Sequence, residues 1–195
     1  MSRLAAVVLA AGASTRMGRP KPLLEWRGRP FVWHVLEQAR AAGAEPVIVV
    51  EGAVVLPGEE LEGATIVRNE AWAEGPLGSL QTGLWSVVDG GARGPVLVLT
   101  VDRPHVRAET LRALAQAVEA DPRAIWQPRF GERRGHPIVY PNDLIPALMT
   151  LRPPATPRDL LAEPQGAARR RYLEVYDPAI LDNLDAPADL ERLPP

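Results

Sequence analysis

The chain has 195 residues, 46% of them hydrophobic, with a net charge of −2 and a pI near 6.0. That is enough apolar matter for a packed core, and it leaves no field that would hold nucleic acid or an anionic membrane. The absence of cysteine excludes a disulfide framework, a thiolate metal site and a cysteine nucleophile, and fits a cytoplasmic protein.

The length fits one domain spanning 1–195. Arginine outnumbers lysine 21 to one, the one being Lys21. Together with 21 prolines, this bias suits a thermophile or a GC-rich genome alike. No apolar run reaches the length of a membrane span.

In chain order, Leu4–Leu9 ("LAAVVL") reads as a buried strand. With Arg3 and the small residues "AGA" at 11–13, the apolar run Leu4–Ala11 also imitates a secretory signal. Its shortness and the lone arginine favour the strand. Pro30 to Ala42 is a helix, opened by proline and stopped by Gly43. "PVIVV" at 46–50 and "ATIVR" at 64–68 are strands, and Leu77–Val88 is a helix with Leu80, Leu84, Val87 and Val88 at helical spacing.

"PVLVLTV" at 95–101 is the strongest strand, followed by a helix over Ala108–Ala120. "AIWQP" and "HPIVYP" are strand-like, and Asn142–Leu151 is expected to be a helix opened by Asn142. Pro153, Pro154 and Pro157 then break the chain before "RDLLAE". "YLEVY" at 172–176 is the last strand and Ala188–Leu193 a closing helix. The "RRR" at 169–171 reads as a solvated basic face. Strands alternating with helices, and continuously apolar strands, predict a largely parallel α/β sheet covered on both faces. Ligands of such sheets sit beyond the carboxyl ends of the strands.

Three segments at strand ends carry chemistry. In "LAAGASTRMGRPKPLL" (9–24), Gly12 and Gly18 let backbone approach a ligand, Arg16 offers a planar fork, and Lys21 a compact point charge. The spacing matches neither a Walker A loop nor G-x-G-x-x-G. An ordinary strand-to-helix connection with two solvated cations is the plain alternative. A single lysine placed after a Gly-rich turn favours a site where arginine cannot substitute. In "LVLTVDRPHV" (97–106), a buried strand ends at Asp102, which could hold Mg²⁺ or cap the next turn. In "LDNLDAPADL" (181–190), Asp185, with Asn183 beside it, fits either metal binding or an N-cap. His34 reads as a packed or surface residue, Trp72 and Trp85 as core or cover. His105 lies near the site but ranks below His136.

Read together, "LAAGASTRMGRPKPLL", "EGPLGSLQTGL" (74–84), "LTVDRP", "GHPIVYP" (135–141) and "NLDAPADL" resemble, in order, the motifs of a known family. It is the nucleotidyltransferases of the MobA-like NTP transferase type, closest to the branch that joins a nucleotide to molybdopterin. The resemblance implies a three-layer α/β/α, Rossmann-like, mixed and mostly parallel sheet of the nucleotide-diphospho-sugar transferase type. It implies that Leu9, Ala10, Ala11 and Gly12 contact base and phosphates through backbone groups, with Arg16 and Lys21 on the triphosphate. It places Gly78 and Ser79 beside base or ribose, His136 toward the acceptor, and Mg²⁺ on Asp102 with Asp185.

Arg16, Lys21 and Asp102 are the catalytic candidates in this reading. The partners implied are an NTP, CTP before GTP, a phosphorylated acceptor such as molybdopterin, with a sugar phosphate or another small phosphorylated alcohol as the alternative, and a molybdoenzyme; nucleic acid and membrane are not among them. The chain departs from the family pattern at Arg103, where Met or Gln is common, and at Ala186, where Thr is usual. Two further classes fit parts of the pattern: a nucleotide-binding maturation partner without turnover, and a secreted binding protein.

Overall fold

A computed structural model describes residues 3–195. Its strands are β1 (Ala5–Leu9), the short pair β2 (Glu25–Trp26) and β3 (Arg29–Pro30), β4 (Val47–Glu51), β5 (Thr65–Arg68), β6 (Val96–Thr100), β7 (Ile125–Phe130), β8 (Arg133–Arg134), β9 (Ile138–Tyr140) and β10 (Arg170–Glu174). The α-helices are α1 (Phe31–Ala41), α2 (Pro76–Asp89), α3 (Ala108–Ala120), α4 (Ile145–Thr150), α5 (Pro157–Ala162) and α6 (Pro164–Arg169).

The main sheet runs β10-β7-β9-β6-β1-β4-β5, with β8 paired on β7. Strand β1 is parallel to both β4 and β6, and β5 is parallel to β4. Strand β9 enters antiparallel between β6 and β7, and β10 closes the edge parallel to β7. The sheet is therefore mixed, with its parallel half around β1.

Every residue of β4, and the first four of β1 and β6, is buried, because both faces of the sheet are covered. On one face Ala6, Val8, Val49, Leu97 and Leu99 pack against Phe31, Val35 and Leu36 of α1 and Leu111 of α3. On the other, Ala5, Val7, Val50, Val96 and Val98 pack against Leu80, Leu84 and Val87 of α2 and Leu148 of α4. This alternation is the period-2 rule of a strand acting on two cores at once. Fully enclosed side chains such as Phe31 and Leu84 each contribute about 1.5–3 kcal/mol of apolar burial. Helix α2 sits close because Gly83 faces the sheet: a Cβ there would lie 2.4 Å from Val7 Cγ1 and 3.0 Å from Val50 Cγ2.

The second half departs from the sequence expectations. The helix expected over 142–151 begins as a 3-10 turn, Asn142–Leu144, and becomes α-helical only at Ile145, with Pro141 rather than Asn142 at the cap and no side-chain cap bond. Strand β10 begins two residues before the expected "YLEVY", at Arg170. It is an edge strand with mostly exposed side chains, so charged residues occupy it and its apolar signal is weak. The closing helix is a 3-10 segment, Pro187–Arg192, in which Asp189 accepts the backbone N–H groups of Asp185 and Ala186 at 2.9 and 2.8 Å. Helices α5 and α6 follow the prolines, α5 held by a Thr156–Asp159 capping box.

The basic run is not a free face. Arg169 forms a bidentate pair with Asp143 (2.7 and 2.9 Å) and donates to the Arg123 carbonyl, and Arg170 donates to Gln127.

Candidate active site

The carboxyl ends of β1 and β6 and the amino end of α2 surround a cleft of about 480 Å³. The chain leaves β1 clamped between its neighbours: Ala10 N–H donates to Val50 O (3.0 Å) and Val101 N–H to Leu9 O (3.1 Å). Ser14 adopts the left-handed conformation (φ 57°) and turns the chain into a 3-10 turn, Thr15–Met17, whose Met17 is buried as an anchor. Pro20 then starts a second 3-10 turn at Lys21, and the Lys21 N–H donates to Ser14 Oγ at 3.0 Å. The loop is thus folded back on itself, and both of its cations point the same way.

They converge on Asp185. Lys21, with only 12% of its side chain exposed, donates to Asp185 Oδ1, and Arg16 Nη2 lies 2.6 Å from Asp185 Oδ2. Asn183 Nδ2 donates to the same Oδ2 at 2.6 Å. Burial opposes ionisation of Asp185, but the Lys21 bond and charge, then Arg16, outweigh it and hold the carboxyl below its usual range. The N-cap reading of Asp185 is corrected here: Ala186 occupies the cap position and Asp189 takes the capping bonds, so the Asp185 carboxylate spends its bonds on Lys21, Arg16 and Asn183 in the cleft.

Asp102, just past β6, lines the same cleft. Its Oδ1 accepts from Arg103 Nη1 at 2.7 Å, and the same nitrogen donates to Thr100 Oγ1 at 2.6 Å. The Leu184 N–H donates to the Asp102 carbonyl at 3.2 Å, which ties the C-terminal segment to the end of β6. The turn-cap alternative for Asp102 does not describe this carboxylate, which bonds Arg103 and lines the cleft with Asp185.

Of the residues singled out in the sequence, Leu9, Ala11, Gly12, Arg16, Lys21, Ser79, Asp102 and Asp185 line one cleft. Three stand apart. Ala10 is buried in the α1-side core. Gly78 is not a lining residue, and its carbonyl accepts from Thr82 at 2.9 Å. His136 is off the cleft wall, its Nδ1 enclosed without a partner; burial, and next the Arg103 charge, lower its pKa to about 4. It is therefore neutral at pH 7.

A Cβ at Gly12 would meet nothing within 4 Å. Nothing in the protein itself demands glycine there, while the open space belongs to the cleft.

Trp72, Gly75, Pro76 and Thr100 also line the cleft and were missed. Gly75–Pro76, a glycine cap with proline at the first helical turn, is a helix-start signal that sequence reading can find. For Trp72, read as core or cover, no sequence signal separates a cleft wall from a core. Trp85 is neither of the two: it is 53% exposed beside α4. His34 Nε2 donates to Trp26 O (2.7 Å), and the ring packs against Trp26 and Trp33. His105 is buried against Asp182 Oδ2 at 2.8 Å.

The family model for the MobA-like NTP transferase domain matches residues 6–170. The chain belongs to this family. Among curated relatives, it is 39% identical over 126 residues to the bifunctional protein GlmU of Anaeromyxobacter sp., covering 58% of this chain and 25% of that protein. The chain thus spans about a quarter of the length of these first relatives. It is 35% identical over 155 residues to the nicotine blue oxidoreductase of Paenarthrobacter nicotinovorans, covering 73% and 72%. It is 37% identical over 116 residues to a probable molybdenum cofactor guanylyltransferase of Opitutus terrae, covering 60% and 56%.

Two solved structures share the whole fold. Rv0371c of Mycobacterium tuberculosis has a TM-score of 0.79 at 25% identity, covering 98% and 96%, and a manganese complex of it is also known. A nucleotidyl transferase from Methanothermobacter has a TM-score of 0.78 at 25% identity, covering 97% and 95%. The three-layer mixed sheet of the nucleotide-diphospho-sugar transferase type, expected from the motifs, is borne out. Among the described residues no helix is long and apolar enough to cross a membrane.

Proposed function

We propose that this chain transfers a nucleoside monophosphate from an NTP to a phosphorylated small-molecule acceptor, releasing pyrophosphate. The observation that carries the proposal is the enclosed Lys21 joined with Arg16 at Asp185, in one cleft with Asp102 at the carboxyl ends of the parallel strands β1 and β6. An oxygen of the acceptor's phosphate attacks the α-phosphorus, and the bond from the α-phosphorus to the oxygen leading to the β-phosphate breaks. Such reactions ask little covalent work of the protein, so positioning and charge stabilisation dominate. Lys21, a compact point charge, takes the charge growing on the α-phosphate, and the more exposed Arg16 takes the pyrophosphate. Ser79 and the amino end of α2 border the nucleoside, and His136, neutral, serves the acceptor side.

The donor set fits Mg²⁺. Asp102 and Asp185 are two hard carboxylates on one cleft, and among the described residues there is no group of three or more His, Cys, Asp or Glu that would form a full protein cage. Mg²⁺ typically takes one or two carboxylates and completes its octahedron with water and substrate phosphates. Bound there, it would neutralise phosphate charge.

CTP is proposed first, on the Gly-His-Pro segment at 135–137. GTP is second, on the Gly-Pro-Leu turn at 75–77 and on the guanylyltransferase relative. Molybdopterin is the acceptor proposed first, with transfer in the cytoplasm, a molybdoenzyme as recipient, and the whole of 1–195 as one domain. A redox reading is favoured by one observation, the relative named nicotine blue oxidoreductase; a cationic loop grips the phosphates of a dinucleotide as readily as those of an NTP. Pyrophosphate release decides between them. Lys21→Ala is expected to lower it by on the order of 10²–10³. A Lys21→Ala protein releasing pyrophosphate at a near-normal rate sinks the transferase mechanism.

A further inference from the structure

Four charged groups line the cleft, cations Arg16 and Lys21 and carboxylates Asp102 and Asp185, and a fifth, Arg103, adjoins it through Asp102. As they stand they pair with one another. The reading above, on which this inference rests, takes both carboxylates for Mg²⁺ and gives Lys21 and Arg16 to the triphosphate. Arg103 is then the cation left over. Its side chain is only 15% exposed, and its Nε is enclosed with no partner even now. Once Asp102 is drawn away, the bond to the Thr100 hydroxyl is all that remains to it.

A guanidinium in that position is costly, since a half-buried charge without a counter-charge loses its hydration and gains nothing in return. His136 cannot supply the counter-charge, since an imidazole is never an anion, and its Nδ1 is a second enclosed nitrogen without a partner. The missing group must be an anion, and it must arrive with the other substrate. The planar fork suits an oxyanion held through two parallel bonds.

We propose that Arg103 is the residue that selects the acceptor by binding its anionic group, and that it keeps Asp102 occupied until metal and acceptor arrive together. Arg103 and the metal compete for one carboxylate, while the acceptor's anion and the metal assist each other through it; the assistance is reciprocal. The position that departs from the family pattern thus becomes a specificity determinant. The anion can be a phosphate or a carboxylate, which share the same recognition.

The test is Mn²⁺ binding followed by electron paramagnetic resonance, with Arg103→Met and Arg103→Lys beside the unaltered protein. Without other ligands, Arg103→Met is expected to bind Mn²⁺ roughly threefold to tenfold more tightly, and Arg103→Lys to stay near the unaltered protein. An unchanged or weaker affinity in Arg103→Met overturns the competition. With Mn²⁺ and saturating α,β-methylene-CTP or -GTP holding Lys21 and Arg16, calorimetry then follows inorganic phosphate and, separately, acetate.

The unaltered protein is expected to take up one of the two, which identifies the anion, and Arg103→Met to lose at least tenfold in that affinity. Arg103→Lys, which keeps a charge but no fork, falls between and shows that the loss is not misfolding. Equal uptake by Arg103→Met, or none by the unaltered protein, overturns the proposal while nucleotide binding stands. Failure of every nucleotide analogue to bind the unaltered protein overturns the nucleotidyltransferase reading, and this inference with it.

Discussion

The two carboxylates of the cleft are held by opposite means. Asp102 is paired with the next residue, Arg103, and its place is set as soon as β6 ends. Asp185 is paired with Lys21 and Arg16, 164 and 169 residues away, so its place exists only when both ends of the chain have docked. One half of the site is therefore local and the other is a property of the whole fold. The local half lies where a strand of the parallel half meets the antiparallel β9. The fold-wide half is closed by the C-terminal segment, which the Leu184–Asp102 backbone bond holds down and the Asp189 bond to the Asp185 N–H shapes from within.

If this contrast is right, damage to the two halves separates. The largest effect is on turnover: Asp102→Asn is expected to lower pyrophosphate release by on the order of 10²–10³, and the Arg103 left without its counter-charge lowers the melting temperature as well. A retained rate would place the metal elsewhere. Next comes the seat of α2 against β1 and β4. Gly83→Ala forces a Cβ to within 2.4 Å of Val7, and such overpacking costs about 1–3 kcal/mol. At about 2–4 °C per kcal/mol for a chain of this size, a calorimetric melt would show it. An unshifted melt would mean that α2 can back away from the sheet.

Gly12→Ala is the converse case. Its Cβ has open space, so stability is expected to change by less than about 0.5 kcal/mol while nucleotide affinity falls. Unchanged affinity in an equilibrium titration would remove Gly12 from the site.

The smallest effect is on pH. The His136 pKa is lowered to about 4 from 6.5, first by burial and then by Arg103. Between those values the unfolded chain binds a proton that the folded chain refuses, so stability falls as pH drops from 6.5 toward 4 and His136 adds no further loss below that. Asp185 acts lower: its depressed pKa contributes stability above the ordinary carboxylate range, which is lost as pH falls through the folded value. His136→Asn is expected to flatten the melting-temperature profile between pH 6.5 and 4 and leave the more acidic limb alone. An unaltered slope would show that His136 takes up its proton as readily folded as unfolded.

How much could be read in advance follows the same division. Strands β1, β4 and β6 were legible because burial on both faces makes them continuously apolar, and α1, α2 and α3 because their apolar spacing and flanking Pro or Gly are local signals. The candidate site was legible as motifs in order. Its closure was not: nothing near Lys21 says that Asp185 will meet it, and nothing near Asp185 distinguishes a cap from a cleft group when Asp189 stands four residues on. Strand β10 was misplaced because an exposed edge carries arginines where a central strand carries valines. Trp72 packs against the core as its reading as core or cover expects, and it lines the cleft as well, because a wall and a core ask for the same apolar surface.

The central claim is that Lys21, Arg16 and Asp185 form a triphosphate site. It is tested most directly by the melting temperature of the unaltered protein and of Lys21→Ala with Mg²⁺ and each of CTP, GTP, ATP and UTP. A nucleotide at 100 times its Kd stabilises by about 2.7 kcal/mol, which at about 2–4 °C per kcal/mol is a rise on the order of 5–10 °C. The account predicts that rise for CTP or GTP in the unaltered protein and its loss in Lys21→Ala. No rise with any of the four, or an equal rise without the lysine, would contradict it.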